Sequence, residues 1–371
     1  MPDALPVDRD RRPTFFMKRS DRLIARLRHL MYGLRFARQV DGQMIMAWTP
    51  QPKWSQQFDG PDYHVNHVFD LRAWYAEGGY RELIFFDSIT PFPEGLPSLQ
   101  GVEFDAVRPR GFDRSWFLDQ APTVYSGNYY GYQFADEGKS LADLDREVRG
   151  LWARLPHDPL AARILAQAKE RIGGTGYIAL HVRRGDVGAM LKRDLPLLAD
   201  GTVTPEALRL TLGHYLSRTA PYDFYYPEIE RSLAAGARIL FTSDSPETLQ
   251  HFTDKYGVKP FIDINRFVRS RFPIQKAFLD FNMLIGAERI ISTGSTYAAF
   301  AATLGRGQLA NVAMSGPIDR LDSFLFEEYV PQLGAHAGVR RAVRGELEQL
   351  YRGRRRQSGA VPPDSAAAEA A

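Results

Sequence analysis

Apolar residues recur along this chain with two different periods, and the order in which those periods alternate sets the expected architecture. Leu23, Leu27, Leu30, Met31, Leu34 and Ala37 stand three or four positions apart, the spacing of one helical face. Gly42 follows as a stop, and 44–48 reads as a strand. A further strand is expected over 81–86, ending at Asp87 before a proline-rich loop. Helices are expected over 141–155 and 159–172, separated by Pro156, the second opened by Asp158 as cap and Pro159 in the first turn. Between 91 and 138 no period survives. The aromatics there, Phe112, Trp116, Tyr125, Tyr129, Tyr130 and Tyr132, read mainly as packing under long loops, with one or two at most facing a sugar ring.

The second half alternates more clearly. Strands are expected at 177–182, 238–242, 260–264, 289–292 and 309–314, and helices at 246–256, 274–286 and 295–304. A long polar insertion, 188–226, interrupts the series after the first of these strands. Strands alternating with helices predict a parallel, doubly wound sheet. From Leu321 the pattern is helical again and ends in Arg352, Arg354, Arg355 and Arg356. The small, alanine-rich stretch 357–371 is expected to be disordered. The basic run before it could tether the protein to a membrane or a nucleic acid; a solvated tail is the preferred reading.

At 371 residues the chain has room for two cored domains. The flexible joint Gly173-Gly174-Thr175-Gly176 places their boundary, giving 1–172, 173–320, a helical segment 321–356 and the tail. A net charge of +3 demands no nucleic-acid partner, and the absence of cysteine removes disulfides, thiolate metal sites and cysteine nucleophiles together. Residues 1–12 lack the apolar core of a signal peptide, and no segment approaches the ~20 apolar residues of a membrane span. The expectation is a soluble, cytoplasmic protein. The stretch 22–38 is amphipathic and rich in arginine, so it could touch an anionic membrane peripherally; a helix laid on its own domain with a solvated basic face is preferred.

Three segments carry candidate chemistry. His181-Val182-Arg183-Arg184-Gly185-Asp186 ends a buried strand in two guanidiniums, an imidazole and a carboxylate. Arginine matches phosphate oxygens bidentately and stays charged at any working pH, so this suits a phosphate ester; pairing with surface carboxylates is the plain alternative. Thr242-Ser243-Asp244-Ser245-Pro246-Glu247 ends the next strand. Asp244 there can accept from a ribose or a base edge, while Asp244 or Ser245 can equally cap the following helix. Ser292-Thr293-Gly294-Ser295-Thr296-Tyr297 opens a helix of small residues, whose N–H groups and dipole favour an anion. A P-loop and a G-x-G-x-x-G fingerprint are both missing, which counts against those ATPases and dehydrogenases.

The peptide His181 to Asp186 resembles the H-x-R-R-x-D motif of the GDP-fucose-dependent fucosyltransferases, the superfamily of α-1,2-, α-1,6- and protein O-fucosyltransferases. Segments 242–247 and 292–297, the latter preceded by Asp280, are similar to its second and third donor peptides. The resemblance covers 159–304 well and 22–48 weakly; there Lys18-Arg19-Ser20-Asp21 replaces the usual glycine-rich turn. It implies the GT-B architecture of two Rossmann-like domains facing each other across a cleft, with the donor nucleotide on the C-terminal domain and the acceptor side on the N-terminal one. It implies inverting transfer of fucose from GDP-fucose to a glycan or other hydroxyl, with no cofactor and no metal. Arg183 would hold the β-phosphate and stabilise the leaving charge. His181 and Arg184 would shape the pocket, Asp244 would hold base or ribose, and Ser295 and Thr296 would hold phosphate. Asp186 is a candidate general base by position; a salt bridge fixing Arg183 or Arg184 is the favoured alternative. Asp143-Leu-Asp145 reads D-x-D but sits inside a charged helix, so no metal role is assigned to it. The acceptor would meet the insertion and the aromatic loop. A GT-B enzyme using another nucleotide sugar, and a non-catalytic nucleotide-sugar or glycan binder, are the rival readings.

Overall fold

The computed structural model describes residues 12–18, 23–48, 64–76, 83–86, 102–103, 114–120, 124–126, 140–174, 176–245, 247–313, 315–331 and 337–358. They fall into two compact units. One takes in 1–174 with 265–286 and 303–306; the other takes in 175–264, 287–302 and 307–371.

Each unit is built on a wholly parallel five-stranded sheet. In the first, β1 (Thr14–Lys18), β2 (Gln43–Ala47), β3 (Leu83–Phe86), β4 (Val102–Glu103) and β5 (Val124–Ser126) lie in the order β3-β2-β1-β5-β4. The central strand is β1, which no period-two pattern marks, and β4 and β5 lie in the stretch where the periodicity fails. Phe15 of β1 meets Phe36 and Phe117 edge-on at 4.9 and 5.6 Å, the aromatic centre of this unit's core.

The helix Leu23–Gln39 corrects one expectation. Its basic face is not solvated: Arg26 and Arg35 are only 1% and 4% exposed. Arg35 Nε donates to Glu147 of the helix Leu141–Trp152 at 2.5 Å, and the Arg26 guanidinium lies 5.5 Å from the Trp48 ring. A helix covered on both sides must pair its cations, and Glu147 does this for Arg35. In that second helix Asp143 forms a reciprocal capping box with Ser140, which explains half of the D-x-D pattern.

The helix Pro273–Ile285 follows the strands of the second unit in sequence but groups with the first. Its buried Phe278 lies 5.9 Å from Phe69, 5.9 Å from Trp152 and 5.2 Å from His157. Aromatic packing, not chain order, decides where it belongs. Asp280 on this helix pairs with Lys276 at 2.7 Å.

In the second unit β6 (Ile178–Val182), β7 (Ile239–Ser243), β8 (Phe261–Asp263), β9 (Arg289–Ser292) and β10 (Gln308–Asn311) lie in the order β10-β9-β6-β7-β8. β6 is the central strand, parallel to both neighbours and buried beyond Ile178, and its apolar run is broken by His181. The sheet grows one way through β7 and β8 and the other way through β9 and β10. The reversal falls between β6 and β9, the kind of switch point where open α/β sheets bind ligands. The parallel, doubly wound sheet predicted from the alternation of the second half is present, and the first unit carries a second parallel sheet, as the resemblance implies.

The region 188–226 is not a polar insertion. It forms helices Gly185–Ala199 and Arg209–Arg218 with short 3-10 turns, leading into the helix Tyr226–Ala234. Leu191, Leu195, Leu212, Tyr215 and Tyr225 from it are fully buried in the core of this unit. Widely spaced apolar residues among many charges conceal a helical stripe that is real once the helices pack.

The chain then forms a helix Ile318–Ser323, a π-helical turn Phe324–Tyr329 and a final helix Ala337–Ser358. The final helix includes Gln357 and Ser358, the first two residues of the stretch 357–371 expected to be disordered; the rest of that stretch, the aromatics Phe112, Tyr129, Tyr130 and Tyr132, and the turn 19–21 lie outside the described residues. Among the described residues no helix is long and apolar enough to cross a membrane.

Candidate functional site

Strand register builds the site. His181 is aligned with Thr242 of β7 on one side and with Ser292 of β9 on the other. These three residues form a row across the carboxyl ends of three adjacent strands. Each strand then hands over to one of the three loops singled out by sequence, so the structure does bring those loops together.

His181 is buried, with Nδ1 2.7 Å from Thr242 Oγ1. Its ring stacks on Tyr297, centroids 5.0 Å apart and planes 17° apart. Burial pushes its pKa down to about 4, with the Asp244 carboxylate opposing and the Arg183 guanidinium reinforcing the shift. The imidazole is thus neutral at neutral pH, and its Nε2 is buried without a hydrogen bond. Arg183 itself is half-buried.

Strand side chains alternate between faces, and the two arginines are in different surroundings. Leu180 and Val182 belong to the core cluster, and Arg184 continues towards it. Its guanidinium lies 3.7 Å from the Tyr222 ring centroid and 4.7 Å from that of Phe324. Nε and Nη2 are buried without hydrogen bonds. Its backbone N–H donates to Asp244 Oδ1 at 2.7 Å, and its carbonyl accepts from the Tyr329 hydroxyl. Arg184 is therefore held by aromatic faces, a different surrounding from the open phosphate contact that the motif suggests.

Asp244 is exposed and one of its carboxylate oxygens is occupied by that N–H, which fixes the β7 loop against the β6 loop. Ser243 Oγ strengthens the link, donating to the Val182 carbonyl at 2.8 Å and accepting from the Ser245 N–H at 3.1 Å. The Ser245 hydroxyl donates to Glu247 at 2.5 Å. Asp186 lies in the first turn of the helix Gly185–Ala199; its side chain is outside the described residues.

The third loop is anchored from below. Thr293 donates through Oγ1 to the Arg218 carbonyl at 2.9 Å. A Cβ on Gly294 would lie 2.9 Å from the Ser217 carbonyl oxygen, so glycine is needed here for the chain's own close packing. Ser295 is fully buried, and its Oγ accepts from the Tyr297 N–H at 3.3 Å, capping the helix Thr296–Leu304. Thr296 is half-buried. Of the two hydroxyls assigned to phosphate, the one on Ser295 already serves the helix.

Thr242 and Tyr297 lie inside the quoted peptides, but nothing in the sequence marks them as partners of His181. Tyr222, Phe324 and Tyr329 come from distant segments and carry no local signal at all.

No protein-family model matches the chain, and no curated protein matches it. Among solved structures the chain is similar to POFUT1 in its apo form, at 14% identity over 82% of this chain and 99% of that one, with a TM-score of 0.48. It is similar to POFUT1 in complex with GDP-fucose at 11% identity, over 81% and 98% of the two chains, with a TM-score of 0.47. The fucosyltransferase NodZ from Bradyrhizobium is similar at 13% identity, over 80% and 94%, with a TM-score of 0.41.

Proposed function

We propose that this chain is an inverting glycosyltransferase that moves fucose from GDP-fucose to a hydroxyl of a glycan or other acceptor. The observation that carries the reading is the row Ser292–His181–Thr242, which sets three loops with donor-peptide character side by side at the switch point of a parallel sheet.

In this reading the half-buried Arg183 takes the β-phosphate of the donor. A fixed cation next to a buried, neutral imidazole stabilises the charge that grows as the nucleoside diphosphate departs. It supplies the charge that a divalent ion supplies in other transferases. Asp244, whose Oδ1 accepts from the Arg184 N–H, is the group of the β7 loop that takes base or ribose. Thr296 and the positive end of its helix dipole face the diphosphate in this reading. The acceptor hydroxyl attacks the anomeric carbon from the face opposite the diphosphate, which inverts the centre. Asp186 is the candidate base for the hydroxyl proton.

A second nucleotide sugar remains the rival, because Lys18-Arg19-Ser20-Asp21 stands where the resembling family has glycine. Calorimetric titration with GDP, UDP and ADP, repeated on Arg183→Ala, tests both readings. GDP binding alone, weakened about 100-fold or more in the variant, supports the proposal. A preference for UDP moves the assignment to another donor, and no nucleotide binding at all overturns it.

A further inference from the structure

His181 is more than nine-tenths buried and makes one hydrogen bond, from Nδ1 to Thr242 Oγ1 at 2.7 Å. Which atom donates follows from counting protons. A threonine hydroxyl has one hydrogen, and His181 Nδ1 is the partner that Thr242 Oγ1 has. If the ring donated from Nδ1, both the hydroxyl hydrogen and the Nε2 lone pair would be left buried without partners, which is costly. If the hydroxyl donates, the hydroxyl hydrogen and Nδ1 satisfy each other, the single ring proton sits on Nε2, and that N–H is the one group left without a partner.

We propose that Thr242 is a positioning residue that fixes His181 as its Nε2–H tautomer and so makes it a neutral hydrogen-bond donor to an oxygen of a bound nucleoside diphosphate. Three observations converge on this. The ring cannot flip freely, because Tyr297 stacks on it at 5.0 Å and 17°. Nε2 is buried and has no hydrogen bond within the protein. The Ser292 hydroxyl, next in the row, is also buried and makes no bond to it. A fixed donor with no partner in its own chain is poised for an acceptor from outside. Neutrality matters as much as direction. A cationic ring beside Arg183 would add like-charge repulsion, whereas a neutral N–H adds a directed bond without it. This inference rests on the proposed donor site, but its first readout does not need the donor.

The test combines spectroscopy and binding. Long-range nitrogen–proton correlation spectra of the ring-labelled full chain separate the two neutral tautomers, with His181 assigned through His181→Gln. The expected result for the unliganded wild type is the Nε2–H form. Thr242→Val keeps the volume but removes the donor; it should release the tautomer and weaken GDP binding about tenfold. Thr242→Ser restores the hydroxyl and should keep the tautomer and bind GDP within about threefold of wild type. An Nδ1–H signal in the wild type, or a Thr242→Val variant with unchanged tautomer and unchanged GDP binding, overturns the proposal. If the wild type shows the Nε2–H form but does not bind GDP, the donor reading fails and the tautomer assignment stands.

Discussion

Arg184 and Tyr222 lie face to face, the guanidinium carbon 3.7 Å from the ring centroid, and Phe324 contributes a further face at 4.7 Å. This clamp separates two adjacent arginines into different jobs. The Arg183 guanidinium acts electrostatically on His181, while Arg184 ties the end of β6 to two distant segments of the chain.

Substitution of the two arginines should therefore fail in different ways. Arg184→Ala loses a partly desolvated cation–π contact of about 2 kcal/mol and should lower the melting temperature by about 3–8 °C. Arg184→Lys keeps the charge but not the flat stacking surface and should recover less than half of that loss. Arg183→Ala should lose nucleotide binding with a smaller drop in melting temperature than Arg184→Ala. Thermal melts of the three variants, set beside GDP titrations, decide the matter; equal destabilisation by Arg183→Ala would contradict the division.

Acid should destabilise the fold before most carboxylates titrate. Burial lowers the pKa of both His181 and His157 from 6.5 to about 4. The unfolded chain binds protons first, so stability is complete above about pH 6.5 and falls as pH drops towards 4. Each histidine contributes on the order of 3 kcal/mol across that window. Urea unfolding at pH 7 and pH 4.5 checks this, and His157→Phe should flatten part of the slope. A pH-independent midpoint over this range would refute the assignment.

Gly294 is held by steric fit. A methyl group there would press on the Ser217 carbonyl at 2.9 Å and on Asn311 Nδ2 at 3.3 Å. Gly294→Ala should cost about 1–3 kcal/mol and displace the helix start that carries Ser295 and Thr296. Both stability and GDP affinity should fall together, which parallel melts and titrations can show.

The helix that carries the basic C-terminal run is anchored upstream of that run. Arg340 donates to Asp322, Arg344 to Asp319 and Glu348, and Arg352 pairs with Glu348. Tyr351 is buried and donates to the Gly316 carbonyl. Ending the chain at Leu350 would therefore remove core as well as charge. That truncation and Tyr351→Ala should each lose about 2–4 kcal/mol, whereas Arg352→Ser should be nearly neutral. Denaturant midpoints of the three test the difference.

Most of the second unit was legible from sequence because buried parallel strands are continuous apolar runs. Each of β6, β7, β8, β9 and β10 overlaps an expected strand, and the three candidate peptides stand at the ends of β6, β7 and β9. The first unit was harder: β4 and β5 are two and three residues long, and the short apolar run of β1, Phe15 to Met17, is flanked by charged residues and prolines that read as a loose start. The helices of 188–226 were hidden because their charged residues outweigh a stripe that only packing reveals.

The sequence by itself determined the residue types at the site, the strands that deliver them and the glycine-bearing turns between. Those features follow from local period and backbone freedom, which depend on near neighbours alone. Only the tertiary structure decided the register Ser292–His181–Thr242, the stacking of Tyr297 and the clamp on Arg184. It also decided that Arg26 and Arg35 of the first helix are buried and that the helix Pro273–Ile285 belongs with the first unit. The physical reason is the same in each case. Contacts between residues far apart in sequence are selected by the burial of the whole chain, and a hydrogen-bond partner or an aromatic face leaves no mark on the local pattern that it completes.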